Sequence, residues 1–231
     1  MSPRSREGGE GPVTPQRVVD AAVRVIDEDG LDALTMRRLA HDLGVEPVTV
    51  YRQLPSKEAI LAAVAERLWG EVRPVASATP PADPGASAGV AAPDAGPGAD
   101  WRGTVKALWL GLYAVMRAHP NAIPIIAKGG TYSASAAGGL AGMVALLRDA
   151  GLGPDEAGEL VHILSACLVG FGFALVWSRE IASGAGPEQP AGPPPAPPPD
   201  DLLPYLLRLG RWEPAEFGAA LDIVLGAYGA S

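Results

Sequence analysis

Cysteine is nearly absent from this chain of 231 residues: Cys167 stands alone, so no intramolecular disulfide framework and no multi-cysteine zinc site can form. A reducing compartment fits that usage. Histidine is as scarce, with His41, His119 and His162 only, and the sequence contains no G-x-S-x-G elbow, no P-loop and no dinucleotide fingerprint. Cys167 lies in the most apolar stretch and reads as a small core residue rather than a nucleophile. These absences point away from an enzyme and from a bound metal or cofactor. The N-terminal stretch MSPRSREGGEGPVTPQ lacks the apolar segment and cleavage pattern of a secretory signal, so the mature chain is expected to begin at Met1 and to be cytoplasmic. Alternating strand patterns and internal repeats are lacking too, which leaves helix as the regular structure and makes the expected class all-α.

What is present is an apolar chain with a few structureless tracts. Apolar residues make up 48% and charged residues 19%, enough for a substantial core. The formal charge of -8 argues against indiscriminate polyanion binding over the whole surface, while leaving room for one DNA-reading face. The 29 glycines and 24 prolines fill 53 of 231 positions, so some stretches cannot be regular structure. Residues 1–13 read as a flexible arm. Residues 74–100 hold 6 prolines, 9 alanines and 4 glycines in 27 positions and read as a linker; residues 184–201 hold 8 prolines in 18 and read as an extended, mobile loop.

Between these tracts the periodicity is helical. Val18, Val19, Ala22, Val23 and Ile26 recur at three- and four-residue spacing after Pro15, with Thr14 placed to cap and Gly30 to stop a first helix. Thr35 can cap a second, Met36 to Leu43, that ends at Gly44; a third runs from about Pro47 to Leu54, and Ser56 caps a fourth reaching about Arg73. After the linker come Trp101 to His119, a break at 120–130, about Ser135 to Ala150, about Pro154 to Ile181, and short helices at 202–209 and 214–228. Leu160 to Trp177 is 18 residues without a formal charge. It is short for a span, contains His162, Ser165 and two glycines, and lacks flanking basic or aromatic anchors, so it reads as a buried core or dimer helix with no membrane involved.

The informative segment is residues 34–58, LTMRRLAHDLGVEPVTVYRQLPSKE. Ala40 is small where two helices cross closely, Gly44 can take the positive φ of a tight inter-helix turn, and Val50 packs the second helix back on the first. Together they describe a helix-turn-helix. Leu34, Thr35, Leu39, Ala40, Gly44, Val45, Thr49, Val50, Tyr51, Leu54 and Lys57 resemble the DNA-binding pattern of TetR-family transcriptional regulators.

The resemblance implies a recognition helix at residues 47–53 that enters the major groove. By position, Thr35, Tyr51 and Lys57 would hold phosphates, with Arg38 and Arg52 solvated or loosely phosphate-associated, and Arg37, Pro47, Val48, Thr49 and Gln53 would face bases. Arg37 suits guanine, Gln53 adenine, and Val48 with the Thr49 methyl a thymine methyl. Residues 35–58 carry a local balance of only +1, so Asp42, Glu46 and Glu58 are expected to point away from the duplex. Tyr51 as a half-buried aromatic and Lys57 as a solvated first-turn residue stand as structural alternatives.

The C-terminal part, 101–231, more loosely resembles the effector-binding and dimerisation domain of the tetracycline-repressor subgroup, beyond a DNA-binding domain at 14–73. The stretch 217–228 resembles that subgroup's last dimerisation helix, which implies a homodimer on a palindromic double-stranded operator. Positions that there carry a drug-binding Asn and a metal-associated His are here Leu108 and Ile126. No magnesium–tetracycline site is therefore expected, and a small, largely apolar effector is. Pocket candidates by residue type and helix placement are Trp109, Tyr113, Met116, His119, Asn121, Tyr132, Met143, His162, Phe173 and Trp177, each of which reads equally as packing. His119 and His162 stand out because a polar group in apolar surroundings needs a partner. The function implied is a repressor released from DNA by its effector. A helical small-molecule binder and a constitutive DNA binder without effector control are the other readings.

Overall fold

The computed structural model describes residues 12–73, 100–128, 133–182 and 212–228, without side chains for 180–182. Most of the arm, nearly all of the linker, the 184–201 loop and the helix expected at 202–209 lie outside the described residues. Among the described residues the regular structure is entirely helical: α1 Pro15–Asp29, α2 Met36–Leu43, α3 Pro47–Gln53, α4 Lys57–Trp69, α5 Trp101–Ala118, α6 Ile123–Ala127, α7 Ala134–Asp149, α8 Pro154–Ala182 and α9 Pro214–Gly226. They fall into two compact units. The first holds the described residues up to Val72 and those from Asn121 to Gly142; the second holds the remainder.

Helix boundaries in the first unit are set locally. The Thr14 and Ser56 hydroxyls accept from the backbone N–H of Arg17 and Ala59, at 3.3 and 3.1 Å, and so cap α1 and α4. Gly30 ends α1 with φ 85°. Gly44 ends α2 with φ 67°, a left-handed conformation that lets the N–H of Val45 reach Ala40 O at 2.9 Å and turns the chain toward α3. The core forms where α1 packs on α2, α3 and α4, and is made of Val18, Ala22, Ile26, Leu39, Val50, Val64 and Leu68, all fully buried.

Residues 120–127 correct the sequence reading. The expected break instead contains a 3-10 turn, Pro120–Ala122, followed by α6, which packs on α4 and buries Ile123, Ile125 and Ile126. Pro124 sits in the first turn of α6, where its missing N–H removes no helix bond. Asn121 Nδ2 donates to Asp27 O at 3.0 Å and so ties this turn to the end of α1.

In the second unit α5 packs on α8 and α9, and α8 packs on α9. Their meeting point is aromatic. Tyr113 lies 4.7 Å from Phe217 and 6.0 Å from Phe171, and Phe171 lies 5.2 Å from Trp212, ring centre to ring centre. The Tyr113 hydroxyl donates to Trp212 O. Lys106 pairs with Asp222 at 2.6 Å, and the Arg102 guanidinium donates to Leu225 O and Tyr228 O, which ties the end of α9 to the start of α5.

Helix α8 is covered on one side, unlike the buried core helix that is one of its two expected readings. By length and composition alone it could cross a membrane. Among its described residues the stripe Ala157, Leu160, Leu164, Leu168, Gly172 and Leu175 is buried, at the three- and four-residue spacing of one helix face. The other side is left open, with Phe173 51% and Trp177 57% exposed.

Candidate nucleic-acid interface and effector region

The two helices of the turn divide their side chains between core and solvent. On α2, Leu39 and Ala40 are buried and Arg37 is exposed; on α3, Val50 alone is buried. Val50 at the centre of a seven-residue helix fixes which face looks outward. Val48 is 54% and Tyr51 49% exposed, Arg52 is exposed, and Pro47, Thr49 and Gln53 are partly exposed on the same short element. An apolar valine and an aromatic ring are thus left in water beside polar neighbours.

Thr35 and Lys57 flank this helix in the chain, and both are exposed. Thr35 Oγ1 accepts from the N–H of Arg38 at 3.1 Å as the cap of α2, which still leaves its hydroxyl proton to donate outward. Lys57 opens α4 directly after its cap, Ser56. The nine residues expected to meet DNA are therefore all at least partly exposed.

Two of the three acidic residues of the motif, Asp42 and Glu58, are engaged. Arg38 pairs with Asp29 at 2.8 Å and with Asp42 at 2.9 Å, linking the end of α1 to α2. Burial pushes the Asp42 carboxyl up, but hydrogen bonds from His41 and Arg38 outweigh it and hold it below the usual carboxylate range. Glu58 is also held low, by its own backbone N–H and by Ser56, in the first turn of α4. Arg38 is thus a structural arginine, unlike its neighbour Arg37.

The effector candidates scatter more widely. Trp109, Tyr113 and Met116 are buried along α5, and Met143 is buried on α7. The Trp109 indole N–H is buried without a hydrogen-bond partner. His119 and Asn121 are partly exposed, and Tyr132 lies outside the described residues. His162 is exposed, so the apolar surroundings expected for it are not there; the run around it is apolar in sequence but open on that side of α8. Phe173 and Trp177 point outward, and it is Phe171, two residues earlier and overlooked in the sequence, that joins Tyr113. No signal in an all-apolar run distinguishes Phe171 from Phe173.

Comparison with known proteins places both halves. Residues 18–64 match the family described as bacterial regulatory proteins, tetR family, and residues 92–193 match the tetracyclin repressor-like C-terminal domain. The chain belongs to the TetR family. It is 28% identical over 183 residues to the HTH-type transcriptional repressor DrrR1 of Streptomyces coeruleorubidus, a match over 79% of this chain and 61% of that repressor. The chain thus spans about three fifths of that relative's length. Among solved structures, a possible TetR family transcriptional regulator from Streptomyces coelicolor A3(2) superposes with a TM-score of 0.69 at 24% identity, covering 92% of this chain and 97% of that one. The TetR family protein ActR of Streptomyces coelicolor, solved in complex with actinorhodin, superposes with a TM-score of 0.60 at 22% identity, over 94% and 95% of the two chains. The TetR fold accounts for the helix-turn-helix at one end and the helical second unit.

Proposed function

We propose that the chain is a transcriptional repressor that binds a palindromic operator as a homodimer and is released by a small, largely apolar effector. The observation that carries the reading is the outward face of α3, where Val50 anchors the helix and leaves Val48, Tyr51, Arg52 and Gln53 to meet a duplex. Tyr51, Thr35 and Lys57 hold phosphates, while Arg37, Pro47, Val48, Thr49 and Gln53 read base edges.

A second copy is the occupant that fits the open flank of α8. Phe173 and Trp177, with Ile223 of α9 at 77% exposure, are large apolar groups on helices that otherwise build the second unit's core. The effector is received around α5, where the unpartnered Trp109 N–H suits an acceptor oxygen on an otherwise apolar molecule. ActR, solved with actinorhodin, supports effector binding by a chain of this fold. The protein acts as a regulator with no catalytic step, in the cytoplasm.

Selection of duplexes from a random pool, followed by anisotropy titration of the enriched duplex beside a scrambled one, tests the first claim. Tight binding to a palindrome that the scrambled duplex does not match is expected; equal weak binding to both would overturn it. Sedimentation of the wild type and of Trp177→Glu tests the second, with a dimer expected to become a monomer. A wild type that sediments as a monomer at tens of micromolar would overturn it.

A further inference from the structure

Of helices α1 to α4, three begin with a side-chain cap. Thr14, Thr35 and Ser56 open α1, α2 and α4, and each closes its helix with a hydroxyl oxygen. Glu46 opens α3, the reading helix, and its side chain makes no cap bond. Serine, threonine, aspartate and asparagine are the residues that favour this position, so glutamate is not there for the sake of the helix. Its carboxylate makes no ion pair or side-chain hydrogen bond elsewhere among the described residues. Carboxylates that serve the fold in this unit look different. Asp42 is held by Arg38 and His41, Glu58 by Ser56 and its own backbone N–H, and Glu66 on α4 accepts from Ser133 Oγ at 2.6 Å and from the Ser135 backbone N–H at 3.2 Å.

The place of Glu46 matters as much as its freedom. A helical residue 46 would stand four positions before Val50 and share its buried face. The extended backbone of Glu46, φ −73° and ψ 146°, takes the side chain off that face, and it is exposed directly before Pro47 and Val48. On a surface that approaches a polyanion, a free carboxylate weakens binding to every duplex unless it meets a donor. Phosphates and the major-groove edges of guanine and thymine offer it acceptors, and adenine sets its amine beside the N7 acceptor. Cytosine offers an amine with no acceptor on its own edge.

We infer that Glu46 is a specificity-determining residue that accepts from the N4 amine of a cytosine in each half-site of the operator. This assignment rests on the proposed operator binding, and it replaces the expectation that Glu46 points away from the duplex. The same carboxylate repels the acceptor edges of guanine and thymine, so it selects by exclusion as well as by attraction.

The test uses the full-length protein. Duplexes are selected separately with the wild type, Glu46→Ala and Glu46→Gln, and every single-base replacement in the half-site is titrated by anisotropy. The wild type should show a cytosine whose replacement by any other base weakens binding about ten-fold. Glu46→Ala should accept all four bases there within about two-fold, keep its preferences elsewhere, and hold scrambled DNA no more weakly than the wild type. Glu46→Gln should move the preference at that position to adenine, whose N6 and N7 a side-chain amide matches. A cytosine analogue lacking the exocyclic amine should cost the wild type about ten-fold more than it costs Glu46→Ala. A Glu46→Ala protein that keeps every base preference, with one common change in affinity on all duplexes, overturns the assignment and leaves operator binding standing. So does a wild-type half-site without such a cytosine. A wild type that binds no duplex selectively overturns both.

Discussion

The two units solve opposite problems with the same element. In the first, α3 buries one valine and offers nearly everything else to the outside; in the second, α5 buries Trp109, Tyr113 and Met116 and keeps its large side chains inside. A reading surface needs only a rigid base and an outward face, and both are set by a cap, a glycine turn and one buried anchor within a few residues. An interior is set by which helices meet, and the residues that meet are far apart in the chain, as Tyr113 is from Phe217.

The largest effect that would probe this contrast is in the aromatic cluster. Phe217→Ala removes a fully buried ring that touches both Tyr113 and Phe171, and should cost about 3–5 kcal/mol of stability in chemical denaturation. Amide protection of α2 and α3 should survive in that variant under native conditions, and its loss would break the separation drawn between the units. Next in size, Gln53→Ala should cost about 1–3 kcal/mol of operator binding at one base position and leave thermal stability unchanged. An equal loss on selected and scrambled duplexes would remove Gln53 from the base readers.

Thr35 separates scaffold from contact at a single position. Thr35→Ala removes the α2 cap and should cost about 1 kcal/mol of stability together with a phosphate contact. Thr35→Asp restores a capping acceptor but places a negative charge toward the duplex, so stability should recover while DNA binding does not. Recovery of both would make Thr35 a cap alone. The smallest effect is in acid. Asp42 and Glu66 are both held low in the folded chain, so each adds stability that is fully present above the ordinary carboxylate range and is lost as pH falls through its lowered value. Thermal melting between pH 7 and pH 3 should show a shallower acid loss for Glu66→Gln than for the wild type, and identical profiles would remove Glu66 from the acid response.

The same contrast governs what could be read in advance. Thr14, Thr35 and Ser56 as caps, and Gly30 and Gly44 as stops, are local chemistry, and each stands where the sequence places it. The family resemblance is carried by that same segment. Helix α6 escaped because five residues show no period and Pro124 suggests a break, although at a first turn it permits one. The open flank of α8 escaped because a run that is apolar all round does not say which side is covered. The bonds of Glu66 have no local signal, since its partners Ser133 and Ser135 come after the linker and three further helical segments.

The pairing of Arg38 with Asp29 and Asp42 bears on how the protein would find its site. With Arg38 occupied, the reading face offers Arg37, Arg52 and Lys57 on a chain whose formal charge is -8. Nonspecific affinity for DNA grows with the number of phosphates neutralised, and about three per motif is few. For the proposed repressor, weak binding to random duplexes is therefore the expected outcome of an anisotropy titration, with discrimination resting on base-edge contacts of α3 more than on attraction to the duplex as a polyanion.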